Sequence, residues 1–324
     1  MHLIVPFAAP LSAALRAQFG ALRAPALQAW LQRQPPPQTF VAGDEWSLST
    51  PHERALSQLM GWPAADGLVP LAQAQAMQQG LAEAARPGWA CVAPTHWSLG
   101  TEQISLFAPE LLNLDVESSR AFFQAIGELF TSEGFAWHWL GPTQWLCRHD
   151  ELAELPTASL DRVIGRNVDR WLTPHPRARR LRRLQNEAQM LMHGHALNEP
   201  REAQGLLPLN SLWCSGTGSL DVAQGETPEA AQIHAALRGP ALQEDAAGWA
   251  QAFAQADAQV FGPWIAQHGE DPASSLILCG ERQASRWSGG PPSRGSGFWP
   301  ALGRRLGLGA SADPARWPQW LEPL

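Results

Sequence analysis

Ionisable and amide side chains concentrate in Arg182–Gly218, a window with Glu187, Gln189, His193, His195, Asn198, Arg201, Asn210, Ser211 and a Gly-x-Gly loop. A plain core helix followed by a plain strand needs fewer polar groups, so the first candidates for chemistry lie here. His193 and His195 stand two apart, on different faces of a helix, and cannot chelate one ion together. Glu187 and His195 stand eight apart, two turns along one side. They could join His96 around a metal ion or make core and capping hydrogen bonds. Asn198 precedes Glu199-Pro200 and is placed to cap a short helix. Arg201 could hold a carboxylate or phosphate, or pair with Glu187. Ser215-Gly216-Thr217-Gly218 either cradles an anion or makes a tight turn; it lacks the further glycine of a dinucleotide fingerprint.

A second ionisable group is Asp44, Glu45, His52, Glu53 and Arg54. It could face a cleft or form a structural ion-pair network. Ser49, His52 and Asp161 are the types of a hydrolytic triad, but no Gly-x-Ser-x-Gly elbow presents the serine. The chain has no Lys and no Tyr. That excludes Schiff-base catalysis, a P-loop lysine and a tyrosine acid or base. The cysteines Cys91, Cys147, Cys214 and Cys279 lie far apart, without a CxxC pair, and read as reduced thiols. A net charge of −7 gives no basic field for nucleic acid or a membrane surface.

Elements that would position these groups follow from periodicity. Leu3–Phe7 reads as a buried strand rather than a signal peptide, because no basic residues precede it and Pro6 and Pro10 interrupt the apolar run. The expected location is therefore cytoplasmic. Helices are expected over Ser12–Leu31, Thr50–Met60, Leu71–Ala85, from Asp115 to about Phe130, Arg177–Ala196, Pro228–Leu237 and Leu242–Val260. Strands are expected at Trp89–Pro94, Phe135–Leu140, Thr143–Cys147, Leu206–Trp213 and Ser275–Cys279. The alternation argues for α/β architecture. Leu3–Phe7, Leu206–Trp213 and Ser275–Cys279 are expected in one sheet, since all three are apolar enough to be covered on both faces. Arginines crowd the first turns of Arg177–Ala196 and oppose the helix dipole. They form either a solvated face or a face for an anion or partner. The 16 Trp exceed what a core without Tyr needs, so some are expected at a binding surface. The tail from Gly289 is rich in Gly, Pro, Ser and Arg and reads as peripheral.

The run His195, Asn198, Arg201, Gly205, Pro208, Asn210, Trp213, Gly216, Gly218 resembles the archaeal-type cofactor-independent phosphoglycerate mutases. Gly43–Ser49, Pro51–Leu56, Pro94–Trp97, Leu155–Arg162 and Asn210–Trp213 resemble proteobacterial RpfE-type regulatory proteins, relatives of those mutases. The resemblance implies an alkaline-phosphatase-like three-layer core with a mostly parallel sheet, built from 1–62 and 207–324, with an inserted α+β region at 63–206. It also implies two metal ions, a Ser or Thr nucleophile, an Asp after the first strand and an Asp-His pair near the C-terminus. This chain departs at each point. Pro6-Phe7-Ala8-Ala9 follows the first strand, His52 falls at the nucleophile position, and Gly280-Glu281-Arg282 follows Cys279.

Phosphoryl transfer needs cationic charge on the equatorial oxygens and a nucleophile held in line. The expectation is thus a non-catalytic protein without metal or cofactor, with a binding or regulatory role. A small phosphorylated or carboxylated ligand would meet Arg201, Asn210, Ser215, Gly216, Gly218, Glu187 and His195, and a protein partner is also expected as a possible binder. One alternative is an active mutase- or phosphatase-like enzyme rebuilt around His52, Glu53, His96 and Arg201. Another is an interaction module using exposed Trp and the Arg-rich helix face.

Overall fold

A computed structural model describes residues 1–62, 65–101, 103–220, 230–290 and 320–324. Ten strands occur among them: β1 (His2–Ala9), β2 (Gln38–Val41), β3 (Trp89–Leu99), β4 (Ile104–Phe107), β5 (Ala136–Gly141), β6 (Gln144–Arg148), β7 (Ser211–Ser215), β8 (Ala231–Ile233), β9 (Ser275–Gly280) and β10 (Ala284–Ser288). The chain forms two compact units, Met1–Glu45 with Pro228–Leu324, and Trp46–Thr227.

The first unit holds a five-stranded sheet in the order β2-β10-β9-β1-β8. β1 runs parallel to β8 and β9, whereas β10 is antiparallel to β9 and to β2. The sheet is therefore mixed, not mostly parallel. The short connection Glu281–Gln283 lets β10 turn straight back on β9, which a parallel neighbour could not do. Every residue of β1 and β9 is buried, as expected of strands covered on both faces. Leu3, Val5, Leu276 and Leu278 pack with Leu27, Trp30, Trp249, Phe253 and Phe261.

The expected long helix over Ser12–Leu31 is broken into Ala13–Arg16, a 3-10 turn at Phe19–Ala21 and Pro25–Leu31. Pro25 has no N–H to donate and is accommodated only in the first turn of a new helix. The expected helix at Pro228–Leu237 is corrected as well. Its first two residues lie outside the described set, and Ala231–Ile233 is the edge strand β8. The helix expected to reach Val260 runs over Ala246–Ala256 and passes into a π-turn at Asp257–Phe261.

The second unit is built on an antiparallel sheet, β4-β3-β6-β5, with β7 on the other side of β3. This corrects the placement of Leu206–Trp213 beside β1. β7 begins at Ser211 and pairs Ser211 with Thr95 and Ser215 with Cys91. The helix Ala178–Met192 holds it there. Gln185 Nε2 donates to Leu212 O at 3.3 Å, and Gln189 Nε2 to Ser211 Oγ at 2.8 Å. Leu181, Leu184, Ala188 and Met192 bury one stripe of this helix against Val92, Leu212 and Cys214. The helix Val116–Ser132 covers the same face through Phe122, Ile126 and Phe130, its start capped by Asp115, which accepts from Ser118 N at 2.7 Å. No described helix is long and apolar enough to cross a membrane. The tail positions 291–319 lie outside the described residues.

Candidate functional site

The densest polar cluster of the second unit surrounds the start of the helix Pro51–Leu59. Thr50 and Glu53 form a capping box: Glu53 N donates to Thr50 Oγ1 at 3.4 Å and Thr50 N to Glu53 Oε2 at 2.8 Å. The second carboxylate oxygen of Glu53 accepts from Ser159 Oγ at 2.8 Å. Two donors of the first helical turn are thereby satisfied reciprocally, and both Glu53 oxygens are engaged. His52 Nε2 lies 3.2 Å from Thr50 Oγ1 and 3.7 Å from Asp161 Oδ2. A catalytic relay needs one ring nitrogen on the hydroxyl and the other on the carboxylate. Here one nitrogen faces both, while the hydroxyl also receives the Glu53 amide.

Ser49 does not act in this cluster as a nucleophile would. Its Oγ accepts from Gly67 N at 2.8 Å, and Arg162 Nη2 donates to its carbonyl at 3.2 Å. Asp44 and Glu45 belong to the first unit, where Glu45 meets Arg282 at 3.1 Å. Behind Glu53 lies Cys91, whose thiol burial, reinforced by the Glu53 charge, pushes up to about 12. It is no nucleophile at neutral pH.

The polar residues of Arg182–Gly218 bond within the protein. Arg201 is buried (6% exposed) and donates from Nε and Nη2 to Leu207 O at 3.1 and 2.9 Å, and from Nη2 to Leu112 O. Burial lowers its pKa, opposed by Asp115. Asn198 does not cap the following short helix. Its amide bridges Met192 O and Leu209 O, and its Oδ1 accepts from Leu209 N. Asn210 imitates a strand residue. It accepts from Trp97 N at 2.7 Å and donates to Trp97 O at 2.9 Å, beyond the point where β7 stops pairing. His96 Nδ1 bonds Pro208 O at 2.9 Å. His195 Nδ1 accepts from Leu197 N at 3.2 Å, and Glu187 meets Arg183 at 3.5 Å.

Ser215–Gly218 is a tight turn against main chain. Gly216 and Gly218 have φ of +69° and +125°, and a methyl group at Gly218 would overlap the Leu68 carbonyl. Thr217 between them is fully buried and bonds Thr157 Oγ1 at 2.9 Å, Gly67 O at 3.2 Å and Leu155 O at 2.6 Å. Nothing in the sequence set Thr157 and Gly67 beside this loop, because both are distant in the chain. A hydroxyl with three protein partners leaves no donor for an anion.

The arginine face of Ala178–Met192 borders an open groove of about 800 Å³. Its cations meet acids: Arg177 with Glu154 at 2.5 Å, Arg180 with Glu151 at 3.3 Å, and Arg183 with Glu133 at 2.8 Å. Partners on neighbouring elements thus offset the unfavourable dipole. Trp46 is the large exposed tryptophan among the described residues, at 57%, stacked on Trp171 with ring centroids 6.2 Å apart.

At the carboxyl end of β1, Phe7 takes φ +56°, an uncommon state for a bulky side chain. Its carbonyl accepts from Trp249 Nε1 at 2.9 Å, and the β1–β9 register shifts between Val5 and Ala9. At the end of β9, Glu281 Oε1 accepts from Leu11 N at 2.7 Å. The two metal ions implied by the resemblance do not fit these residues. The β1 end offers no side-chain oxygen or nitrogen, and the β9 carboxylate is bonded to main chain. Among the described residues no three His, Cys, Asp or Glu side chains converge as a metal site.

No family model matches the sequence, and no curated protein matches it. In structure the chain is similar to the cofactor-independent phosphoglycerate mutase from Thermoplasma acidophilum, with a TM-score of 0.36 at 12% identity over 88% of each chain. It is also similar to the PH0037 protein from Pyrococcus horikoshii, with a TM-score of 0.45 at 10% identity over 90% of this chain and 88% of that one.

Proposed function

We propose that the protein is a non-catalytic, metal-free relative of the phosphoglycerate mutases with a binding or regulatory role. The observation that carries this reading is the carboxyl end of β1 and β9. Open α/β sheets bring ligands to that end of their strands. Here Phe7 turns its ring into the core, Glu281 holds Leu11 N, and Gly280 is covered by Leu324. The second unit supports the same reading. His52, Glu53 and Arg201 are engaged by a cap, hydroxyls and carbonyls within the protein.

The test is interconversion of 2- and 3-phosphoglycerate by purified protein supplied with Mn, Mg, Zn or Co. Rates should not exceed a metal-free control. Metal-stimulated turnover that survives repurification and disappears in His52→Ala would overturn the proposal.

A further inference from the structure

A strand at the edge of a sheet offers its outward N–H and C=O groups to another strand unless something blunts it. Among the described residues, four of the five edge strands are blunted. β8 has only three residues. β2 has four, directly after Pro35-Pro36-Pro37. β4 is bridged at Ser105 and Leu106 to Asn167 and Ile164, and Gln185 Nε2 takes the Leu212 carbonyl of β7. β5 is the exception. Ala136–Gly141 carries no charged residue and no proline, and all six of its residues are half-buried. Beyond its ladder with β6, no described main-chain group bonds it, and a Cβ at Gly141 would meet open space. The helix Val116–Ser132 lies along this strand and gives the edge two ends of opposite charge. Arg120 sits over the Trp139 ring, 4.0 Å from its centroid. Two turns further on, Gly127 lies against the Trp137 ring and Glu128 follows it. Arg120 and Glu128 are both exposed, and neither forms an ion pair among the described residues.

We infer that β5 pairs with β5 of a second copy of this chain, antiparallel about a two-fold axis at His138. That register sets Trp137 of one copy opposite Trp139 of the other. Arg120 of each copy then comes to the Glu128 end of its neighbour. An uncharged strand meets itself without repulsion, while the flanking opposite charges attract twice, once on each side of the axis. The pairing uses both open edges, so it closes at two copies. It is independent of the binding role proposed above. One pair of six-residue strands is a contact at the small end of specific interfaces, and a dissociation constant on the order of 10 µM is expected.

The test is sedimentation velocity of the full chain from about 1 to about 200 µM, a range that brackets the expected constant. The sedimentation coefficient should rise with concentration and level off at a dimer. Arg120→Glu and Glu128→Arg should each weaken self-association about tenfold, because each turns two attractive pairs into repulsive ones. An equimolar mixture of the two variants should recover it, since the mixed pair restores opposite charges on both sides of the axis. A repaired fold cannot produce that recovery, because each variant is also measured alone. Hydrogen exchange within 136–141 should slow as concentration rises. A chain that stays monomeric over the whole range, or one that grows beyond a dimer, overturns the inference. So does self-association that both variants leave unchanged, or a mixture no stronger than either variant alone.

Discussion

At the end of β1 and β9 the first unit closes its sheet with apolar side chains and main chain: Phe7, Leu321, Leu324 and Gly280. At the end of β3 and β7 the second unit uses side chains that imitate main chain. Asn210 pairs with Trp97 as a strand residue would, Asn198 joins Met192 to Leu209, and Arg201 gathers Leu112 O and Leu207 O. Both satisfy the rule that buried backbone groups need partners. They differ in what the sequence displays. The second solution fills a window with Asn, Arg, Gln and Thr and looks like an active site, whereas the first spreads its few polar contacts thinly, through Glu281 to Leu11 N and Gln283 to Pro323 O. Polar density here marks irregular backbone that must be buried.

The largest test of that contrast is Arg201→Ala. It deletes the donors to two buried carbonyls and should cost about 3 kcal/mol, the range for an unsatisfied buried network, read from the urea midpoint. Lys should restore little, because a point charge cannot serve both carbonyls as a planar fork does. Phosphate binding measured by calorimetry should not differ between the folded variant and the parent. A variant of full stability that loses a phosphate site present in the parent would break the comparison and return Arg201 to ligand binding.

Next is Asp257, the counterpart in the first unit. It is 4% exposed and accepts from Ala26 N at 3.0 Å and Leu27 N at 2.8 Å. The helix Pro25–Leu31 has Ala24 at its start and no side-chain cap of its own. Asp257 on the distant π-turn does that work. Asp257→Ala should cost about 2 kcal/mol, the upper range for a lost cap, and Asn, which keeps one acceptor oxygen, roughly half of that. A change below a few tenths of a kcal/mol would show that this unit does not depend on buried polar caps.

These two residues also show what the sequence made legible. β1 and β9 are readable because the continuous apolar runs Leu3–Ala9 and Leu276–Cys279 inside them are what a doubly covered strand requires. The capping box at Thr50 and Glu53 is local chemistry, three positions apart, yet the same residues suggested a reactive cluster. The chain split at Pro25 follows from one residue. The partners of β7 did not follow, because Gln185 and Gln189 act through space and nothing in the strand names β3. Thr157 meeting Thr217, and Asp257 meeting Ala26, are contacts across 60 and 231 positions. No local pattern encodes them. The types of Arg201 and Gly216–Gly218 suit an anion, and the atoms that engage Arg201 and Thr217 come from elsewhere in the fold.

The smallest effect sharpens the comparison through pH. Burial lowers the pKa of His138 and His149 in the second unit and of His234 in the first. For His149 burial is the leading cause; Arg180 and Arg148 act in the same direction, and Glu151 and Asp150 oppose it. Its ring stacks on Phe135 at 4.4 Å, and its Nδ1 accepts from Glu151 N at 3.2 Å. Protonation removes that acceptor. A histidine held below its ordinary value of 6.5 binds its proton more readily when unfolded. Its contribution is therefore complete above about pH 6.5 and is lost as pH falls through the folded value. Asp115, Glu133 and Asp271 are held below the ordinary carboxylate range by hydrogen bonds, so their contributions fade only at lower pH. Between pH 7 and pH 5.5 the urea midpoint should consequently fall, and His149→Gln should flatten part of that fall while His138 and His234 sustain the rest. The two units then share the pH response unequally, with more of it in the second. A midpoint that rises on acidification, or a slope untouched by His149→Gln and His138→Gln together, would show that the polar interior of the second unit carries no histidine-linked stability.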